Sequence, residues 1–454
     1  MIGESSVTRT LGLLERNVRG GVIVPDSADY DDVRALMLAG RDARPLALVR
    51  PVDAEDVASA VTVLAGEGVP FAVRGGGHHP TGAAGGDGVF VIDTRGMKGI
   101  DIDAAGRTAT AQAGVTAGEY TAASAERGLA TGFGDTPTVG IAGLTLGGGL
   151  GFLSRAQGLT VDSLLGAEVV TADGRVLWAD ADSEPDLFWA LRGGGPGFGV
   201  VTRLRYALRE LAGGYGGVLI QPASPEVVHG VVKAALEAPD ELTVIVQVMV
   251  APPMPFLPAE VHGKPIAIVR GFHLGDEAAG KAAFAPLRAA AAPLVDAVRP
   301  LRYAEMLEEP PAPPITMRFA TGFRDSWDPA AAEAVMALAT EPAMGMRGVQ
   351  LRPMGGAIAR VEDGATAFAH RRRRLALWLM SGYMRPDGGP AALDWLQRAH
   401  QALAEGPAQF VSFADDGFRV EDAYPGGTWE RLRAVKRAYD PGDLFRSVLS
   451  VTPA

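Results

Sequence analysis

The stretch Arg74-Gly75-Gly76-Gly77-His78-His79-Pro80-Thr81-Gly82 constrains the fold more than any other part of the chain. It follows an apolar run at 69–73 that reads as a short buried strand. Three successive glycines let the backbone take positive φ and approach a ligand with no Cβ in the way. Consecutive N–H groups in such a turn form a concave anion site, and Arg74 can add a fixed positive charge. An imidazole nucleophile, His78, ends the cradle, with His79 beside it. The same residues also read as a plain glycine-rich loop carrying two solvated histidines.

A second stretch, TPTVGIAGLTLGGGLGFLSR (136–155), is too glycine-dense for a helix interior and too apolar for a linker. With it go GLTVDSLLGAEVVTADGRV (158–176), PDLFWALRGGGPGFGVVT (185–202) and WERLRAVKRAYDPGDLFR (429–446). These pieces, in order over most of the chain, resemble the flavin oxidases of the vanillyl-alcohol oxidase/p-cresol methylhydroxylase (PCMH) superfamily, in the berberine-bridge-enzyme-like (BBE-like) branch. The resemblance implies an α+β class, a two-domain PCMH-type FAD-binding fold. Residues 1–210 and the closing BBE-like segment 413–454 would form the FAD-binding domain. Residues 211–412 would be an inserted substrate-binding domain, an antiparallel sheet covered by helices.

Composition agrees with a globular protein long enough for more than one core: 454 residues, 47% hydrophobic and 21% charged. A net charge of -11 argues against nucleic acid or anionic membranes as partners. The run Arg371 to Arg374 is the exception, and it reads as a solvated loop face. There is no cysteine, which excludes disulfides, thiolate metal ligands and cysteine nucleophiles, and no metal site is expected. No apolar segment reaches membrane-spanning length. The N-terminus lacks a basic start followed by an apolar core, so a signal peptide is not expected and a cytoplasmic location is.

Along the chain, leucines at helical spacing predict a helix over 5–18. Another is predicted over 51–66 with Asp53 as N-cap. Strands are expected at 46–49, 69–73, 89–93, 99–103 and 108–112, then a helix at 116–127. Ala172-Asp173-Gly174 marks a hairpin turn between 164–171 and 175–178. No strand–GxGxxG–helix unit with a following acidic residue occurs, so a nicotinamide cofactor is not expected. Beyond residue 212, strands are predicted at 216–221, 243–250, 264–272, 347–352 and 374–381, and helices at 224–237, 276–290, 329–340 and 389–404. Pro310, Pro311, Pro313 and Pro314 mark a loop, placed at the substrate entrance.

The resemblance also assigns residues. His78 matches the histidine that attaches FAD through the 8α-methyl of the isoalloxazine, with His79 as a competitor read as secondary. The cysteine that forms a second attachment in many members is replaced by Thr136, after Asp135, so attachment is expected to be single. The cofactor-binding set is Arg74, Gly75, Gly76, Gly77, His78, His79 and Gly82 from the first loop. Pro137, Thr138, Val139, Gly140, Gly143, Thr145, Leu146, Gly147, Gly148 and Gly149 come from the second. Gly199, Val200 and Val201 lie at the adenine end, and Tyr424 joins from the closing segment. Gly151 and Gly158 read as packing glycines, and Asp162 and Asp173 as turn and capping residues. Val139 stands where a small side chain leaves oxygen access to the flavin.

The catalytic base departs from the family pattern. The run Phe368-Ala369-His370-Arg371 matches, but the strand after it, 375–380, carries no acid or phenol. Tyr424 is the first candidate, with Arg318, Arg352 or Arg371 as the cation that would lower its pKa; Tyr120, Tyr383 and His370 follow. The implied activity is an FAD-dependent oxidase of secondary metabolism. It would take two electrons from an alcohol, amine or activated C–H of a small molecule by hydride transfer to flavin N5, with O2 reduced to H2O2. A dehydrogenase using another acceptor and a non-catalytic flavin binder are the alternatives. The apolar wall of Trp378 and Met380 favours an aromatic or polyketide-like molecule over an oligosaccharide.

Overall fold

The structure is a computed structural model that describes every residue except 1–2, 38–41, 212, 254–256, 308–314, 343–344, 416 and 418. The proline cluster at 310–314 therefore lies outside the described residues. The chain is α+β, built on three main sheets.

The first sheet has four strands in the order Gly21–Ile23, Ala47–Arg50, Phe90–Asp93, Phe71–Arg74. The last three run parallel, which requires a crossover, and the helix Ala54–Gly66 supplies it. Asp53 caps that helix by accepting from the Asp56 N–H at 3.0 Å. Val57, Ala60, Val61 and Leu64 face the sheet and close its core with Leu14 from the helix Glu4–Asn17.

The second sheet is antiparallel, with five strands in the order Ile100–Asp103, Thr108–Gln112, Val200–Ala207, Leu164–Val170, Val176–Ala179. Gly174 takes φ 78° at the turn of the 164–179 hairpin, where Asp173 accepts from Thr171 and Arg175. The core beneath this sheet also contains Ala414, Ala423, Tyr424, Leu432, Val435, Leu449 and Val451, so the end of the chain is buried among residues 109–208.

The third sheet has eight strands and carries the remaining bulk. Its long members are Gly214–Pro222, Pro265–His273, Leu242–Val250, Gly345–Pro353, Leu375–Tyr383 and Thr316–Arg324, in that spatial order and all antiparallel. Side chains alternate with the pleat. Val244, Val246, Val248, Leu351, Leu377 and Leu379 point to one face, which the helices Pro225–Leu236, Glu277–Ala289, Pro329–Thr340 and Gly389–Leu403 cover. Ser224, Asp276 and Asp328 cap three of these helices, and Pro225 and Pro329 stand at their first positions. The opposite face, with Ile245, Phe272, Trp378 and Phe323, packs on Phe152, Leu153, Leu150 and Leu159.

Several elements lie outside the sequence reading, and two bear on the site. The strand Thr316–Arg324 (TMRFATGFR) was not anticipated, because its residues do not alternate and a proline cluster precedes it. Ile141–Leu146 is a short helix despite the glycine density around it. It contains only Gly143, and Ile141, Ala142 and Thr145 are buried, so packing outweighs a glycine penalty of about 1 kcal/mol.

Candidate active site and cofactor cradle

The two glycine loops meet backbone to backbone. A Cβ on Gly76 would lie 2.4 Å from the Gly140 nitrogen, and one on Gly140 would lie 2.5 Å from that of Gly76. Any side chain at either position would push the loops apart. Among the described residues, the N–H groups of Gly75, Gly76 and Gly77 find no acceptor in the chain, and Gly77 turns the backbone at φ 75°. The N–H groups of Ala142 and Gly143, in the first turn of the neighbouring helix, are likewise without acceptors among the described residues. Donors left unmade in a half-buried cleft imply a ligand rich in acceptors.

Arg74 does not offer its charge to that ligand. It is fully buried, and it donates from Nε to Ala84 O and from Nη1 to Val33 O, both at 2.9 Å. Burial lowers its pKa to about 10. Its part is to brace the loop. His78 is half-buried at the loop's end. His79 is turned away: Nε2 bonds Val411 O at 2.9 Å, and Nδ1 lies 3.0 Å from Thr81 Oγ1. A carbonyl can only accept, so Nε2 carries the proton and the ring latches the loop to the closing segment. Gly82, at φ 68°, opens the turn that follows.

Pro137, Thr138 and Val139 are half-buried, and Val139 O and Pro137 O accept from Ala117 and Gly118, which holds this edge of the cleft. Thr145 is committed to the core, with Oγ1 2.8 Å from the Tyr206 hydroxyl. Leu146 O accepts from Gly195 N at 2.9 Å and joins the 140s to the 193–199 glycines. Gly147, Gly148 and Gly149 leave no room for a Cβ, which would strike Ser412 Oγ, Phe368 and Thr160. Gly151 is tight for the same reason, against Phe133 O, and Gly158 against Asp162. Gly199 takes φ 147°, and Val200 and Val201 bury their side chains while pairing with Val170 and Val169.

Of the four candidates for a base, the structure brings two together. Tyr424 and His370 line one small cavity with Gly147, Gly193, Phe368 and Val411. The Tyr424 hydroxyl is buried without a partner among the described residues, and a Cβ on Gly195 would sit 2.9 Å from it. Burial raises its pKa, and no cation offsets this. The three arginines expected to do so are engaged elsewhere. Arg318 pairs with Asp415 at 2.7 Å, Arg352 with Asp135 at 2.8 Å, and Arg371 with Asp162 at 2.6 Å. His370 donates from Nε2 to Ala423 O at 2.9 Å and stacks on Phe323, and burial lowers its pKa to about 4. Tyr120 lies in the core, its hydroxyl 3.1 Å from Thr131 Oγ1 and its ring against Phe133 and Tyr206. Tyr383 ends the strand Leu375–Tyr383 and packs on Gly388 and Gly389.

The arginine run is not a uniformly solvated face. Arg371 is buried and grips Asp162 through both terminal nitrogens, Arg373 pairs with Asp325, and Arg372 and Arg374 stay exposed. Asp162 keeps its capping role too, accepting from Leu159 N at 2.8 Å. Sequence reading missed Lys436. It is fully buried, with Nζ 2.6 Å from Asp440 Oδ2, 3.0 Å from Asp443 Oδ1 and 2.8 Å from Gly197 O. The i,i+4 spacing of Lys436 and Asp440 in the closing helix was the available signal.

A glycine-lined cleft with N–H donors and a buried phenol left without partners among the described residues fits a ligand rich in acceptor oxygens, as a nucleotide cofactor is. The comparisons agree. Residues 45–180 match the FAD binding domain family, and 409–452 match the berberine and berberine-like family. The (R)-6-hydroxynicotine oxidase of Paenarthrobacter nicotinovorans is 30% identical over 96% of this chain and 97% of its own length. An FAD-linked oxidoreductase of Bacillus subtilis is 28% identical over 96% and 97%. The structure of 6-hydroxy-D-nicotine oxidase from Arthrobacter nicotinovorans superposes with TM-score 0.86 at 28% identity, covering 96% of this chain and 98% of that one. BBE-like 1 of Physcomitrella patens shares the fold, with TM-score 0.87 at 22% identity. The chain belongs to the BBE-like branch of the vanillyl-alcohol oxidase/PCMH family and is an FAD-dependent oxidoreductase. Among the described residues, no helix is long and apolar enough to cross a membrane.

Proposed function

We propose that the protein is an oxidase of a small molecule, with FAD held by residues 1–210 and 413–454 and singly attached through His78, and with the substrate held by residues 211–412. O2 is the proposed acceptor, giving H2O2. The observation that carries this reading is the run of unpaired N–H groups at Gly75, Gly76 and Gly77 that ends at His78 and abuts the 136–149 loop. FAD, when bound, supplies two-electron acceptance from the substrate. The glycine N–H groups would hold its anionic and carbonyl oxygens. Tyr424, whose buried hydroxyl has no partner among the described residues, would donate a hydrogen bond to it. His79 cannot compete for attachment, since its ring nitrogens are occupied by Val411 O and Thr81.

Arg318, Arg352 and Arg371 are each paired with a carboxylate and none activates Tyr424, which favours an amine or activated C–H substrate over an alcohol, whose oxidation gains from a positioned base. Acid precipitation tests the attachment. The yellow colour should stay with the precipitate in wild type and His79→Ala and pass to the supernatant in His78→Ala. Colour released from wild type, or retained by His78→Ala, rejects the assignment.

A further inference from the structure

Three polar side chains on one face of the eight-stranded sheet and Asp135 from the facing loop form one directional hydrogen-bond chain. It starts at Asp135, directly before the 136–149 loop. Arg352 Nη2 donates to Asp135 Oδ2 at 2.8 Å, and Arg352 Nε donates to Gln350 Oε1 at 2.7 Å. Gln350 Nε2 then donates to Gln247 Oε1 at 3.4 Å. The direction follows from chemistry: guanidinium has donors only, so Gln350 must present its oxygen to Arg352 and its NH2 to Gln247. Gln247 must in turn accept, which leaves its own NH2 as the open end of the chain. Among the described residues that NH2 donates to the Met249 sulfur at 3.2 Å, a weak acceptor, and its second hydrogen has no protein partner.

The chain is held rigidly. Arg352 stacks over Trp378 at 4.3 Å from the ring centroid, and Arg352 and Gln350 are 6% and 8% exposed. Gln247 is less covered, and so are its cross-strand partner Ile268 and Met380, which borders the same Gly348. Gly348 opens the space in front of it: a Cβ there would lie 3.1 Å from Met380 Cε and 3.8 Å from Gln247 Nε2. Asp135 sits in the field of two guanidinium groups, Arg352 and Arg270, so the row favours an acceptor and disfavours a cation.

We propose that Gln247 is a specificity-determining hydrogen-bond donor, oriented by Asp135, Arg352 and Gln350, that selects an uncharged, largely apolar ring compound bearing a carbonyl or ring-nitrogen acceptor. The proposal rests on the oxidase reading and names the substrate class of that site.

Isothermal titration calorimetry of the FAD-loaded protein with α-tetralone and with tetralin, which differ by one carbonyl oxygen, tests it. One oriented hydrogen bond predicts about tenfold tighter binding of the ketone by wild type. Gln247→Leu should bring the ratio close to one with tetralin affinity unchanged. Gln350→Glu keeps the acceptor for Arg352 but removes the N–H to Gln247, and should lower the ratio severalfold. Equal binding of the two probes, failure of the ketone to bind, or a ratio that survives Gln247→Leu overturns the inference. A protein that retains no FAD instead defeats the oxidase reading, and the same titration still reports the ratio for Gln247.

Discussion

Val139 couples side-chain size directly to a rate. It is half-buried on the edge of the cleft, its carbonyl fixed by Ala117 N, so its size rather than its position is what substitution changes. Val139→Leu should slow reoxidation of the reduced protein in air severalfold while anaerobic reduction by substrate stays close to wild type. Slow reoxidation in wild type would point to a dehydrogenase. Tyr424 carries a different expectation. Its hydroxyl is buried without a partner among the described residues, so in the apoprotein Tyr424→Phe should be neutral or stabilising by about 1 kcal/mol. In a His78→Ala background, where FAD is held only by contacts, the same change should weaken FAD retention, measured by dialysis. His370 sets a pH dependence. Its folded pKa, about 4, lies below the ordinary 6.5, so the unfolded chain binds a proton that the folded chain refuses. Stability is therefore full above pH 6.5 and falls toward pH 4, by an amount on the order of 3 kcal/mol. Denaturant melts across that window should be flatter in His370→Gln.

Elements were legible where a local signal coincided with burial. The capped helices and the alternating strands of the third sheet follow from Asp53, Ser224, Asp276, Asp328 and the valine pattern of 242–250. The three glycines before His78 could be read as an anion-binding turn, whereas their close approach to Gly140 of the 136–149 run appears only in the fold. What could not be read was pairing across the chain. That Arg371 meets Asp162, or that Arg352 meets Asp135, depends on tertiary placement, and without it both arginines looked available to Tyr424. Lys436 shows how much such a pairing holds. Lys436→Met would leave Asp440 buried without its cation and Gly197 O without its donor. Thermal melts should show a loss of about 3–5 kcal/mol, and the 193–199 loop should lose protection in hydrogen exchange.

At the scale of the whole molecule, Arg155 joins Arg352 and Arg371 in tying residues 1–210 to the later half of the chain. It rises from the short helix Ser154–Gln157 and donates to Leu242 O at 3.1 Å, Ala238 O at 2.7 Å and Met354 O. Leu150, Leu159 and Trp378 pack around the same seam, so the two sides should unfold together. Calorimetry should record a single transition, and Arg155→Ala should lower its midpoint and split it. Evolution meets the same constraint in another form. An arginine that reads backbone carbonyls does not depend on the partner's side chains, yet it demands their registration to a fraction of an ångström. Recombination that swapped one relative's substrate sheet onto another's flavin scaffold would have to preserve that registration, so new specificities in this lineage should arise by point substitution on the sheet face, not by exchange of cassettes.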